Sequence, residues 1–282
     1  MMVSVYVPTR NRSELLGAAV NSVLRQDFQD FELIIVDDAS SDETPQLLAA
    51  LADKDTRVRF IRNEQPQGAA ASRNTAIRAA IGTFVTGLDD DDEFEAHRLT
   101  AFVDLWNALP RYDSTASCLF SQDILVSEGA EIGVSCKRGT VRFSDLLEAN
   151  HIGGQIFAPK NVFESVGLFN SKLPAWQDLE IFMRIVKQHG PARLVDLPLY
   201  RFDVSQSRDR ISAKQERVRS AYRMVSDLHC AGDVRAQQKL FMQVFSSYYG
   251  FKPTASDLIE YGRLGMNLKG LLVMSTRVLR RR

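Results

Sequence analysis

The run FELIIVDD, residues 31–38, constrains this chain more than any other stretch. A strand with one wet face alternates apolar and polar residues; this one does not, so both of its faces are covered, as in a parallel sheet flanked by helices. The chain around it repeats the same alternation. A first strand over 3–7 ends at Pro8. A helix follows, with Asn11 or Ser13 as its cap and Leu15, Leu16, Ala19, Val20, Val23 and Leu24 on one face. SSDETPQLLAALA opens a second helix, 58–61 forms a third strand, 68–81 an alanine-rich helix and 83–88 a fourth strand. Strand and helix in strict alternation predict a doubly wound α/β unit with a mostly parallel sheet.

Beyond about residue 110 the pattern loosens. Strands are expected at 116–126, 131–138 and 155–158, a helix at 143–149, a second helix at 178–188, and two further strands at 193–197 and 199–202. The remainder reads as helix. The expected organisation is a catalytic-type α/β domain over 1–210, in two halves (1–110 and 111–210), and a helical C-terminal region over 211–282.

Ligands of doubly wound sheets bind beyond the carboxyl ends of the strands. Four loops reach that edge: Thr9–Arg12, the VDDAS segment, 63–68 and the run Asp89–Asp92. Four adjacent carboxylates repel one another, so the run is either a solvated acidic turn or a device that holds a cation. Mg²⁺ and Mn²⁺ take hard oxygen ligands and commonly share them with substrate phosphates. Alternate side chains of a short loop aim at one space, which favours Asp89 and Asp91, with Asp92 in support. Asp38 either accepts hydrogen bonds from a nucleoside or caps the following helix. Arg73 suits a phosphate or a base carbonyl; a surface helix arginine is the plainer reading.

Composition narrows the rest. The 282 residues carry 35 Lys plus Arg and 35 Asp plus Glu, so net charge offers nothing to a nucleic acid. Three widely spaced cysteines, with no CxxC pair, fit a reducing compartment. The first residues enter a strand directly without a secretory layout, which points to a cytoplasmic location. Residues 263–282 hold six basic and no acidic side chains, interleaved with Leu, Met and Val. That pattern suits an amphipathic helix on an anionic membrane surface, and equally a helix packed on the core with a basic end.

Taken in order, VYVPTRNRSELLGAAVNSVLRQDF, ELIIVDDASSDET, QGAAASRNTAI and FVTGLDDDD resemble the inverting GT-A nucleotide-sugar glycosyltransferases of family 2. The resemblance is close over the first 110 or so residues and looser to about 205. It implies that Pro8, Thr9, Asn11, Arg12, Asp38, Arg73, Asp89 and Asp90 surround the nucleotide-sugar, and that Asp91 is the direct ligand of a divalent metal (Mn²⁺ or Mg²⁺). Asp90 occupies the variable middle position of the motif and is expected to be replaceable. In LPAWQDLEIFMRI, Asp178 matches the family's catalytic base and Gln177 stands where a Glu is usual; an ordinary aspartate pKa would leave that base ionised. Trp176 is either an acceptor-stacking ring or a core residue. Asn150 and Gln155, in NHIGGQIFA, border the donor and acceptor pockets, and Arg208 and Arg210 lie in a loop that closes over the diphosphate. His151 has no partner at ligand spacing. The implied donor is a UDP-sugar, UDP-glucose or UDP-galactose. The implied acceptor is GlcNAc or GalNAc on a lipid diphosphate in O-antigen or capsule assembly, joined by a β-1,3 bond. Two other classes stand beside this one: a non-catalytic nucleotide-sugar-binding partner subunit, and a sugar-nucleotide pyrophosphorylase, whose glycine-rich triphosphate loop VPTRNR does not supply.

Overall fold

The computed structural model describes residues 2–109, 115–205 and 214–279. In chain order the first half comprises β1 (Val3–Thr9), α1 (Ser13–Leu24), β2 (Phe31–Asp37), α2 (Thr44–Lys54), β3 (Val58–Arg62), α3 (Ala69–Ala79), β4 (Phe84–Gly87), β5 (Glu93–Phe94) and α4 (Arg98–Ala108). The second comprises β6 (Cys118–Ser127), β7 (Ala130–Val134), β8 (Thr140–Val141), α5 (Phe143–Leu146), β9 (Phe157–Pro159), α6 (Lys160–Ser165), α7 (Gln177–His189) and β10 (Ala192–Asp203). Helices α8 (Gln215–His229), α9 (Val234–Gln243), α10 (Ala255–Leu264) and α11 (Leu268–Leu279) follow.

One sheet runs β3-β2-β1-β4-β9-β6-β10-β5. Its first four strands are parallel, as expected, whereas β9 and β5 run antiparallel to their neighbours, so the sheet as a whole is mixed. Side chains of β1 and β2 alternate between two buried layers. Val5, Val7, Leu33 and Ile35 meet α1, α2 and α4 through Leu16, Val20, Leu48, Leu99 and Phe102. Tyr6, Ile34 and Val36 meet α3 and α7 on the other face. The absence of polar alternation in FELIIVDD is thus explained by cover on both sides.

Several boundaries differ from expectation for local reasons. Pro8 does not end β1, which continues through Thr9. Tyr6 turns its carbonyl towards β4, accepting from the Leu88 N–H at 2.9 Å. Pro8 faces the same side two residues later, beyond the end of the β4 ladder at Gly87, where its missing N–H leaves no partner wanting. Helix α1 is capped by Arg12, not by Asn11 or Ser13, and no side chain caps it. Instead Asp42 accepts from the Ser13 N–H at 3.2 Å. The two strands expected around Pro198 are one strand, β10, whose register against β6 shifts on either side of that proline.

Helices α8 to α11 share the core of the α3/α7 face. Val218, Tyr222, Val225, Leu240, Phe241, Tyr261 and Met274 belong to the same buried cluster as Tyr6, Phe120 and Phe182. Among the described residues no helix is long and apolar enough to cross a membrane.

Candidate active site

The loops after β1, β2 and β4 converge with the N-terminus of α7 on a cleft of about 880 Å³. Pro8, Thr9, Arg12, Asp38, Arg73, Asp89 to Asp92, Asn150, Trp176, Gln177 and Asp178 all line it. Asn11 does not. Its backbone takes the left-handed conformation at φ 53°, which Asn tolerates better than most residues. Its N–H donates to Ser40 Oγ at 2.9 Å and its side-chain oxygen accepts from the Ser41 N–H at 2.7 Å. Asn11 therefore ties two loops together beside the cleft. Arg208 and Arg210 lie outside the described residues.

Asp38 is similarly engaged. It accepts from the Gln67 and Gly68 N–H groups, each at 2.8 Å, and from the Asn63 amide at 2.7 Å. Burial works to raise its pKa, but these donors and Arg10 outweigh it and hold the carboxyl below the usual range. Gly68, at φ 89°, makes the turn that brings those N–H groups round before α3 begins.

The four aspartates are each held differently. Asp89 accepts from Arg73 Nη2 at 2.8 Å and from Gln155 Nε2 at 3.1 Å. Gln155 itself accepts from the Tyr6 hydroxyl at 2.9 Å, so it supports Asp89 from below and does not face the cleft. Asp91 accepts from Arg12 Nη1 at 2.7 Å. Asp90 is buried, accepting from Thr9 Oγ1 at 2.7 Å and lying 3.4 Å from Arg12 Nη1. It locks β4's loop to β1's, so the middle position is not a free one. Asp92 accepts from the Tyr200 hydroxyl at 2.8 Å and the Asp203 N–H at 2.9 Å. Burial, opposed by Arg12 and Thr9, pushes Asp90 up to about 6. Burial and then the charges of Asp89 and Asp91 push Asp92 well above the carboxylate range.

Arg73 stands at the centre. Its side chain is 7% exposed, with Nη2 on Asp89 and Nη1 3.2 Å from Asp178 Oδ1. Helix α3 delivers it and the neighbouring Asn74 clamps the helix to the Phe169 backbone, donating and accepting at 2.8 Å. Asp178 sits in the first turn of α7, where the helix dipole favours negative charge. Its pKa is nonetheless not ordinary. Burial, opposed by Arg73 and reinforced by Asp89, pushes it up to about 6.

Trp176 precedes it in the left-handed region, φ 61° and ψ 23°. Trp176 is 8% exposed and belongs to the buried core cluster, as the core reading expects, while also lining the cleft. Its indole N–H donates to the Tyr249 hydroxyl at 2.8 Å. Gln177 donates to the Leu173 carbonyl at 2.9 Å. Glu180 and Arg184 form an i, i+4 pair at 2.7 Å, and His229 of α8 joins it at 3.0 Å.

The sequence reading missed Arg10, Asp123, Lys137, Tyr200 and Tyr248–Tyr249, all of which line the cleft. Arg10 lay within TRNR and was visible there. The others come from β6, the β7–β8 connection, β10 and the turn after α9, whose arrival at this edge depends on tertiary packing.

Among the described residues no group of three or more His, Cys, Asp or Glu is arranged to hold a metal unaided. The carboxylates of Asp91 and Asp89 instead offer hard oxygens to an open cleft. That donor set fits a divalent cation completing its sphere with a bound diphosphate.

A family model described as glycosyl transferase family 2 matches residues 4–128. WcaA of Escherichia coli (strain K12), a glycosyl transferase assigned by name to colanic acid biosynthesis, is 37% identical over 196 residues, 67% of each chain. The Escherichia coli protein WfgD is named as a UDP-Glc:alpha-D-GlcNAc-diphosphoundecaprenol beta-1,3-glucosyltransferase. It is 29% identical over 152 residues, 54% of this chain and 57% of its own. The chain thus spans between about half and two thirds of these relatives. Among solved structures, S. aureus TarS 1–349 in complex with UDP-GlcNAc superposes with a TM-score of 0.67 at 19% identity, over 94% of this chain and 79% of TarS. The mannosyltransferase PcManGT from Pyrobaculum calidifontis, in complex with GDP-Man and Mn²⁺, gives 0.61 at 18% identity, over 97% and 78%. These superpositions show the GT-A fold; with the sequence matches, they establish that the chain belongs to glycosyl transferase family 2.

Proposed function

We propose that the protein transfers a hexose from a UDP-sugar, UDP-glucose or UDP-galactose, with inversion, to GlcNAc or GalNAc on a lipid diphosphate, forming a β-1,3 bond. The observation that carries this reading is the shared arginine. Arg73 joins Asp178, in the first turn of α7, to Asp89 of the acidic run, so a base and a diphosphate site meet at one point of the cleft. Support for the donor and acceptor comes from WfgD, which its name describes as acting on such a pair.

In this mechanism the nucleoside lies along the loops of Pro8, Thr9 and Asp38, with Arg12 and Arg10 as cations towards the diphosphate. Asp91, supported by Asp89, would hold a divalent cation, which when bound would supply charge neutralisation for the departing diphosphate. Asp178 accepts the proton of the acceptor hydroxyl as that oxygen forms its bond to the anomeric carbon. The bond from that carbon to the diphosphate breaks on the opposite face. Arg73 keeps the Asp178 carboxylate aimed and partly ionised. We assign catalysis to residues 1–210, and treat 211–282 as a helical region that closes the acceptor side and, through the exposed face of α11, meets an anionic cytoplasmic membrane surface.

The test is UDP release from a panel of UDP-sugars in Mn²⁺ with a GlcNAc-diphospho-lipid analogue. Turnover of at least one donor is expected. Asp178→Asn abolishes transfer and spares UDP binding; loss of UDP binding in that variant would remove Asp178 from the role of base. No donor of the panel bound or turned over would end the UDP-sugar reading.

A further inference from the structure

The cleft lining is of two chemical kinds. One part is charged: Arg10, Arg12, Arg73 and the aspartates. The other comes from the turn after α9, where Ser246, Ser247, Tyr248 and Tyr249 reach the cleft wall. Tyr248 is 57% exposed, an open aromatic ring in a cleft whose Trp176 and Tyr200 are buried. Its ring stands edge-on to Tyr249, centroids 5.0 Å apart at 85°, and Tyr249 stacks on Phe251 at 5.7 Å. The platform is therefore braced from behind.

That bracing reaches the base. The Tyr249 hydroxyl accepts from the Trp176 indole, two residues before Asp178 in sequence. Burial chiefly, and the Asp178 charge among lesser causes, push the Tyr249 phenol pKa up, so the two side chains are electrostatic neighbours. Trp176 is held in a left-handed conformation that bulky residues adopt only where their surroundings impose it. The bond to Tyr249 is part of that imposition.

We propose that residues 246–249 form the acceptor subsite: Tyr248 receives the apolar face of an acceptor pyranose, and Tyr249 positions Asp178 through Trp176. The proposal rests on the transferase reading above. A pyranoside matches because it has a C–H face for a rigid amphipathic ring and a hydroxyl edge for the neighbouring serines and the Asp178 carboxylate. Acceptor choice would then lie in the C-terminal helical region, outside the residues matched by the family model.

The experiment uses the full chain loaded with UDP and Mn²⁺. Saturation-transfer NMR with the methyl glycosides of GlcNAc, GalNAc, glucose and galactose reports ring contact, and calorimetry reports UDP binding. Kinetics with the GlcNAc-diphospho-lipid analogue separate KM from kcat. Tyr248→Ala is expected to lose the NMR contact and raise acceptor KM by about tenfold, with UDP affinity intact, and Tyr248→Phe, which keeps the ring, to restore both. Tyr249→Phe is expected to lower kcat by about tenfold with acceptor KM little moved, the signature of a positioning residue. An acceptor KM within about twofold of wild type for Tyr248→Ala would overturn the subsite. So would a wild-type protein that binds UDP but contacts none of the glycosides. Failure of the wild type to bind UDP would overturn the UDP-sugar reading, and the subsite with it.

Discussion

Arg73 is buried with two carboxylates on one guanidinium, Asp89 and Asp178, and its consequences are clearest side chain by side chain. Removing the shared cation of such a set costs about 3–5 kcal/mol, because two carboxylates are left facing each other without their partner. Arg73→Ala is therefore expected to lower unfolding stability by that order in a urea titration, and to reduce transfer by at least about a hundredfold. Arg73→Lys keeps the charge, but one ammonium cannot serve both carboxylates as a fork does, so activity stays low while much of the stability returns. The pH dependence follows from Asp178. With its pKa near 6, kcat/KM should be level above about pH 7 and fall about tenfold per unit well below 6. The stability sign is the reverse of that for a salt-bridged carboxylate. The folded pKa lies above the unfolded one, so Asp178's contribution is full below about pH 4 and lost as pH rises through 6. Asp178→Asn should accordingly unfold at higher temperature than wild type at pH 8, with the difference vanishing near pH 4. The position of Asp178 was legible in LPAWQDLEIFMRI; its pKa was not, because burial and the approach of Asp89 exist only in the fold.

At the level of elements, the parallel half of the sheet was readable because uninterrupted apolar runs have one explanation, cover on both faces. The C-terminal half was not, since Pro198 reads as a break where β10 in fact continues by shifting register. Strand β4 shows a constraint of another kind. A Cβ on Gly87 would collide with Gln155 Oε1 and the Tyr6 ring, the two groups whose hydrogen bond crosses beneath the strand to support Asp89. Gly87→Ala is expected to cost about 1–3 kcal/mol in thermal or urea unfolding, as overpacking does. It should also weaken UDP binding by calorimetry, because Gln155 must move away from Asp89. The glycine in FVTGLDDDD was visible; the reason for it lies in Gln155, just before β9 and far away in sequence.

Across the whole molecule the helices α8 to α11 complete the core and bring Tyr248 to the cleft, and α11 divides the two readings of residues 263–282. Met274 is fully buried and Leu271 packs against the core, while Met266, Leu268 and Leu272 are 86%, 75% and 66% exposed beside Lys269. The helix docks by one face, as the core-packed reading expects, and leaves an apolar face beside Lys269 to solvent. If that face meets an anionic bilayer, Leu268→Gln with Leu272→Gln should weaken sedimentation with phosphatidylglycerol vesicles by about tenfold while leaving the melting temperature unchanged, because neither side chain is part of the core. Gly270→Val separates the two roles. A Cβ there would collide with the Tyr261 hydroxyl, which lies against the helix, so this variant should lower stability by about 1–3 kcal/mol through undocking. Binding to anionic vesicles that survives the double glutamine variant would assign the exposed leucines no part in the membrane contact. Binding equal on zwitterionic vesicles would remove the basic residues from it.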